Sequence, residues 1–206
     1  MTDRSNRSGG GGFSRRAFLQ GSAAAGAATA LATAPGVAEA QAGGGGQVLR
    51  GTQKVSLDVN GQMHEVSVEP RTTLLEVLRY QLDLTGAKPV SLDGSSGAST
   101  VLIDGKPMMA STTLALTTVG KKIRTVESLG GKMPDAVPRA FVAHDAQQCG
   151  FCTPGFVVAV RAFLDKNPKA SEADIRQGLS GNICRCGTYA DIVEAAISLA
   201  KGGGNG

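Results

Sequence analysis

The chain has 206 residues, which is enough for one domain or two small ones. Hydrophobic residues make up 41% of it, as in a globular protein, but aromatic residues make up only 4% and tryptophan is absent. Residues 1–40 contribute +2 of the net charge of +4, so the remainder is too weakly basic for a nucleic-acid-binding protein. Composition and charge therefore predict no nucleic-acid partner.

Residues 1–40 have the features of a twin-arginine signal peptide. Arg15-Arg16 precedes an alanine-rich apolar stretch over residues 21–34, and Ala38-Glu39-Ala40 is a small-x-small cleavage site. The apolar stretch is shorter than the roughly 20 residues that span a bilayer, so a cleaved signal is favoured over a transmembrane anchor. We expect export to the periplasm and a mature chain that starts near Gln41 and has no membrane span. Since twin-arginine export moves folded proteins, this route favours a protein that binds its cofactor before export.

Residues 49–125 have the pattern of a β-rich domain. Asn60-Gly61 is a two-residue turn signal between alternating apolar segments, so it predicts a β-hairpin over residues 53–68. Thr73 and Glu76 have the spacing of a helix capping box. Further strand signals lie at residues 100–103 and near Ile123. A hairpin, a helix, a loop and further strands predict a β-grasp, plant-ferredoxin-like domain.

The loop in this domain contains four serines at the C-x4-C-x2-C…C spacing of a plant-type [2Fe–2S] cluster. They are Ser91, Ser96, Ser99 and Ser111. A serine hydroxyl ionises far less readily than a cysteine thiol, whose pKa is about 8.5, so four serines are not expected to hold iron. We expect a folded loop without its cluster. Ordinary loop serines are the alternative interpretation.

Residues 126–201 have helical rather than strand-like patterns. Four helices are predicted, at residues 138–144, 154–166, 171–179 and 188–200. Ser171 and Thr188 resemble helix caps, because each is followed by an aspartate three positions later. The predicted fold class is α+β, with the β-grasp domain followed by a four-helix domain. The glycine-rich segments 41–48 and 202–206 are interpreted as a linker and a disordered tail.

Two cysteine pairs precede predicted helices, Cys149 with Cys152 and Cys184 with Cys186. Helix N-termini favour anions and offer backbone N–H donors, so the two pairs predict a [2Fe–2S] cluster held by four thiolates. A four-cysteine zinc site has similar spacing, and two cross-paired disulfides are also open at this point. Buried free thiols are disfavoured in an oxidising compartment.

The residues around both pairs resemble the iron–sulfur subunit of the xanthine oxidase family of molybdenum hydroxylases. The similar segments are Gln-Cys-Gly-Phe-Cys-Thr-Pro-Gly over residues 148–155 and Gly-Asn-Ile-Cys-Arg-Cys-Gly-Thr-Tyr over residues 181–189. Within that family the chain is most similar to small subunits of exported aldehyde oxidoreductases and isoquinoline-type dehydrogenases. The resemblance covers about residues 50–200 and includes the hairpin and the start of the first helix.

The resemblance implies an electron-transfer subunit whose one [2Fe–2S] cluster is bound by the four cysteines. A large partner subunit would carry a molybdenum–pterin cofactor and hydroxylate an aldehyde or an N-heterocycle. Gln148 and Cys186 are the residues implied to touch that cofactor. In the family the β-grasp cluster passes electrons to a flavin subunit or another acceptor, so the serine loop puts a flavin partner in doubt. Either electrons leave the single cluster directly to a different acceptor, for instance a cytochrome subunit, or the chain is a redox-impaired variant.

No catalytic residue is expected in this chain. Its only histidines, His64 and His144, form no catalytic constellation in the sequence. The alternative function is a structural or assembly subunit with a zinc site or disulfides and no redox role. A free-standing ferredoxin fits less well, because the cluster that would meet outside partners is the one predicted to be missing.

Overall fold

The structure, a computed structural model, describes residues 48–202. The predicted signal peptide, the predicted linker up to residue 47 and residues 203–206 of the predicted tail lie outside the described residues. Within the described part, each helix is too short or too polar to cross a membrane.

A five-stranded mixed sheet forms the first half of the described chain, in the order β2-β1-β5-β3-β4. Its strands are β1 (Gln53–Val59), β2 (Gln62–Val68), β3 (Thr100–Ile103), β4 (Lys106–Met109) and β5 (Lys122–Arg124). Neighbouring strands are antiparallel except for β1 and β5, which are parallel. The predicted hairpin is confirmed, and its turn residues Asn60 and Gly61 have the positive φ angles, 55° and 79°, that a type I′ turn requires. Strand β4 is not indicated by the sequence, because its side chains are largely exposed and Pro107 is atypical of a strand.

The predicted capping box starts the helix of this half. The Thr73 hydroxyl accepts from the Glu76 N–H at 3.2 Å, and the Glu76 carboxylate accepts from the Thr73 N–H at 2.7 Å. Helix α1 (Leu74–Glu76) continues as a π-helical segment (Val77–Gln81). The apolar side chains of both parts pack on the sheet and cover one of its faces.

The four helices predicted for the second half are confirmed. They are α2 (Ala136–Ala143), α3 (Thr153–Lys166), α4 (Glu172–Gly178) and α5 (Tyr189–Lys201). The capping box predicted at Ser171 is present at the start of α4. The cap predicted at Thr188 is wrong: its side chain makes no capping bond to α5, because the hydroxyl lies 3.3 Å from Cys184 Sγ instead. Sheet and helices together confirm the predicted α+β fold.

The two halves have separate hydrophobic cores that meet at β3. One core lies between the sheet and α1, and the other lies among helices α2 to α5. All four residues of β3 are buried, with Val101 and Ile103 in the sheet core and Leu102 in the helical core. Because successive side chains of a strand point to opposite faces, β3 is covered on both sides. The described residues from Leu49 onward accordingly belong to one compact unit.

Candidate metal centre

The structure brings together the four cysteines that the sequence places in two distant segments. Cys149 and Cys152 lie directly before α3, and Cys184 and Cys186 lie directly before α5. Each thiol adjoins a thiol of the other segment, so the two pairs are Cys149 with Cys186 and Cys152 with Cys184. All four cysteines are free in the structure.

The inner pair lies largely away from solvent. Cys184 is buried and Cys152 is half-buried. Burial raises the pKa of Cys152 to about 12. Burial also opposes ionisation of Cys184, but hydrogen bonds from the Thr188 hydroxyl and backbone outweigh it and lower the pKa of Cys184 to about 7. The Cys184 N–H donates to the Tyr189 hydroxyl at 2.7 Å, which fixes the backbone of this ligand candidate.

The outer pair lies at the surface. Cys149 is exposed and Cys186 is half-buried. The backbone N–H of Phe151 lowers the pKa of Cys149. A backbone hydrogen bond at Cys149 favours the Cys186 thiolate, but the hydrogen bond to the Cys149 thiol, burial and the charges of Cys149 and Cys184 together outweigh it and raise the pKa of Cys186. Gln148, the other residue implied to touch a partner's cofactor, is exposed next to this pair.

The paired thiols match the ligand set of a two-iron cluster. Within residues 48–202, no group of three or more Cys, His, Asp or Glu side chains has the arrangement of a single-ion site. A [2Fe–2S] cluster takes four cysteine ligands for its two irons, so each thiol pair has one iron to bind. The Thr153 hydroxyl, which follows Cys152, is buried without a hydrogen-bond partner among the described residues, so it is a further donor available to a cluster sulfur. The residues present therefore fit a [2Fe–2S] cluster.

The four serines of the loop form two hydroxyl pairs. Ser91 Oγ lies 2.7 Å from Ser96 Oγ, and Ser99 Oγ lies 3.0 Å from Ser111 Oγ. Each pair also accepts a backbone bond, since the Ser96 N–H donates to Ser91 Oγ at 3.0 Å and the Ser111 N–H donates to Ser99 Oγ at 3.3 Å. Every one of these hydroxyls thus has a protein partner.

The serine loop lies directly against the cysteine segment before α5. The Ser96 carbonyl accepts from the Ile183 N–H at 3.0 Å, and the Gly97 carbonyl accepts from Asn182 Nδ2 at 3.1 Å. Gly155, in the first turn of α3, is so close that an added Cβ would lie 2.4 Å from the Gly97 oxygen. These contacts were missed from the sequence because they join residues far apart in it. The one local signal of these contacts in the sequence was the pair of glycines that permits them, Gly97 and Gly155.

Comparisons with known proteins point to the same chemistry. A family model described as a [2Fe-2S] binding domain matches residues 125–197. The nicotine 6-hydroxylase small subunit of Paenarthrobacter nicotinovorans is 40% identical over 152 residues, which cover 74% of this chain and 92% of the relative. The aldehyde oxidoreductase iron–sulfur-binding subunit of Escherichia coli strain K12 is 40% identical over 166 residues, with 72% of this chain and 71% of the relative covered. The crystal structure of quinoline 2-oxidoreductase from Pseudomonas putida 86 matches with a TM-score of 0.69 at 38% identity, over 75% of this chain and 99% of that chain.

Proposed function

Since the chain belongs to the family of small iron–sulfur subunits of xanthine dehydrogenase- and aldehyde oxidoreductase-type molybdenum hydroxylases, we propose that it carries electrons away from a molybdopterin-binding partner. One [2Fe–2S] cluster serves this role. Its ligands are Cys149, Cys152, Cys184 and Cys186. The observation that carries the proposal is the arrangement of four free thiols as one inner and one outer pair. When bound, the cluster takes up and releases one electron at a time.

The chain's own residues give the centre a buried side and a partner-facing side. The inner pair packs against the helical core, where Cys184 is buried and Cys152 is half-buried. Phe151, between Cys149 and Cys152, and Ile183, directly before Cys184, are 50% and 54% exposed, and these apolar side chains suit contact with a partner subunit. Gln148 and Cys186 are the residues of the partner-facing side that touch the partner's molybdenum–pterin cofactor.

The β-grasp loop holds no cluster in this proposal. The hydroxyls of Ser91 and Ser96, and those of Ser99 and Ser111, lie at ordinary hydrogen-bond distances and satisfy each other without a metal. Iron would need them as alkoxides, which hydroxyls form far less readily than thiols form thiolates. Electrons accordingly leave from the one cluster to an acceptor that does not use the β-grasp loop, such as a cytochrome subunit rather than a flavin subunit.

In this proposal the protein acts in the periplasm after twin-arginine export. It is then most similar to the exported aldehyde oxidoreductase and isoquinoline-type subunits. Arg15-Arg16 and the cleavage site at residues 38–40 support this export. Replacing both arginines by lysine should leave the protein in the cytoplasm with its signal peptide attached. A variant that still reaches the periplasm at the wild-type level contradicts this route.

Metal analysis of the purified mature protein tests the number and kind of cluster. We expect about two irons per chain and a paramagnetic signal after reduction with dithionite. About four irons would contradict the empty serine loop, and one zinc with no such signal would favour the structural or assembly alternative. A matched gain-of-function variant replaces all four serines by cysteine. It should raise the iron content to about four per chain, whereas Ser95→Cys in the same loop should leave it at about two.

A further inference from the structure

A continuous series of hydrogen bonds connects the serine loop to the cysteine centre. Ser91 Oγ pairs with Ser96 Oγ at 2.7 Å and accepts from the Ser96 N–H at 3.0 Å. The carbonyl of Ser96 in turn accepts from the N–H of Ile183, at 3.0 Å. Ile183 is the residue directly before Cys184. One side chain of the loop is therefore two hydrogen bonds away from the neighbour of a cluster ligand.

A second contact, between Gly97 and Asn182, runs beside the first. The Gly97 carbonyl accepts from Asn182 Nδ2 at 3.1 Å and from the Thr100 hydroxyl at 2.6 Å. Asn182 is 7% exposed. Gly97 has a φ of +68°, and a Cβ there would lie 2.6 Å from the Gly181 oxygen, so the two backbones are in close contact. Because closely packed interiors transmit displacements rather than absorb them, a shift of Gly97 would move Asn182 as well.

The Ser91–Ser96 pair holds the conformation of the loop on which both contacts depend. Ser96 Oγ also accepts from the Ala98 N–H at 3.4 Å, so the pair fixes the backbone on both sides of Gly97. In a cluster-bearing loop, metal–ligand bonds would supply such cross-links. Here two neutral hydroxyls supply them.

We propose that the Ser91–Ser96 hydroxyl pair positions the cysteine centre, by fixing the carbonyls of Ser96 and Gly97 that hold Ile183 and Asn182. The serine loop thus serves the remaining cluster although it carries none itself. This inference rests on the proposed function, since it assumes a cluster at the four cysteines.

Substitutions at Ser91 test the inference, with a matched control in the same loop. Ser91→Ala removes the partner of both the Ser96 hydroxyl and the Ser96 N–H, whereas Ser91→Thr keeps a hydroxyl there. Ser95→Ala is the control, because the exposed Ser95 hydroxyl bonds only to the Asp93 carboxylate. The measurements are the rate of iron loss from the full chain to a ferrous chelator and the paramagnetic spectrum of the reduced cluster.

Ser91→Ala should lose iron at least about fivefold faster than the wild type, because each neutral hydrogen bond lost corresponds to a factor of about five, and should give a broadened spectrum. Ser91→Thr and Ser95→Ala should remain within about twofold of the wild type and keep its spectrum. Equal rates and spectra for Ser91→Ala and Ser95→Ala would overturn the inference. A wild-type protein without any reduced-cluster signal would instead contradict the proposed function.

A double-mutant cycle separates positioning from general stability. Asn182→Ala removes the contact on the cysteine side and Ser91→Ala removes the pair on the loop side, and the two side chains are not hydrogen-bonded to each other. Non-additive effects on the rate of iron loss support communication through the loop, and additive effects contradict it. If Ser91→Ala does not fold, the cycle is run with Ser96→Ala, which removes the other hydroxyl of the pair, and the same two outcomes decide.

Discussion

The close contact between Gly155 and the serine loop predicts that Gly155→Ala destabilises the protein. A Cβ at residue 155 would lie 2.4 Å from the Gly97 oxygen and 3.0 Å from Ala98 Cα, whereas ordinary contacts begin at 3.4 Å. Both neighbouring atoms belong to the backbone, so no side-chain rotation relieves the clash. Helix α3 and the loop must separate by about 1 Å to accept the methyl group.

Two opposing contributions set the size of the effect. Overpacking a buried contact costs about 1–3 kcal/mol. A clash with two backbone atoms of the loop belongs at the upper end of that range. Alanine in a helix is favoured over glycine by about 1 kcal/mol, which offsets part of the cost. The free energy of unfolding should therefore fall by about 2 kcal/mol. For a protein of this size that corresponds to a melting temperature lower by about 4–8 °C.

Thermal unfolding of cluster-loaded protein, followed by circular dichroism, measures this shift. Gly181→Ala is the matched control, because a Cβ at residue 181 would have nothing within 4 Å. It should melt within about 2 °C of the wild type. If Gly155→Ala melts no lower than Gly181→Ala, then α3 and the serine loop are far enough apart at Gly155 to accept a methyl group, which contradicts the prediction.

Three further substitutions have expected outcomes. Thr188→Val removes the hydroxyl 3.3 Å from Cys184 Sγ. Hydrogen bonds to a ligand sulfur favour the more negative, reduced cluster, so the cluster potential should fall by about 40 mV in a redox titration. An unchanged potential contradicts this. Asn60→Ala removes two bonds to Thr125 at 2.8 and 2.9 Å and places alanine at a positive φ, so denaturant unfolding should show a loss of about 2–3 kcal/mol. Less than about 1 kcal/mol would show that these bonds add little. Ser171→Ala removes the α4 cap and should cost about 1 kcal/mol in the same assay, while an unchanged unfolding midpoint would argue against the cap.

Local sequence signals predicted most of the elements. The turn at Asn60-Gly61 and the capping boxes at Thr73 and Ser171 depend on residues close in sequence, so their chemistry is visible without the fold. Thr188 has the same spacing but was predicted wrongly, because its hydroxyl faces the thiol of Cys184, a partner that a capping pattern does not consider.

The long-range part of the site could not be predicted in the same way. The cysteine spacing predicted that four thiols share one site, but not that the pairs form across the two segments. The contact of Gly97 with Asn182 spans 85 residues of sequence, and such a contact has no periodicity or motif. The π-helical segment after Glu76 was also not predicted, since the apolar spacing of a short helix is compatible with several helix types.

Strand β3 limits how this protein could be recombined with its relatives. Its four residues are shared between two cores, with Leu102 on the helical side and Val101 on the sheet side. A chimaera joined near residue 125 would combine the β3 of one protein with the helices of another. The helical core would then contain strand side chains that do not fit α3. Successful exchange of the cluster-binding half should therefore require that β3 be transplanted together with the helices, although the two are separate in sequence.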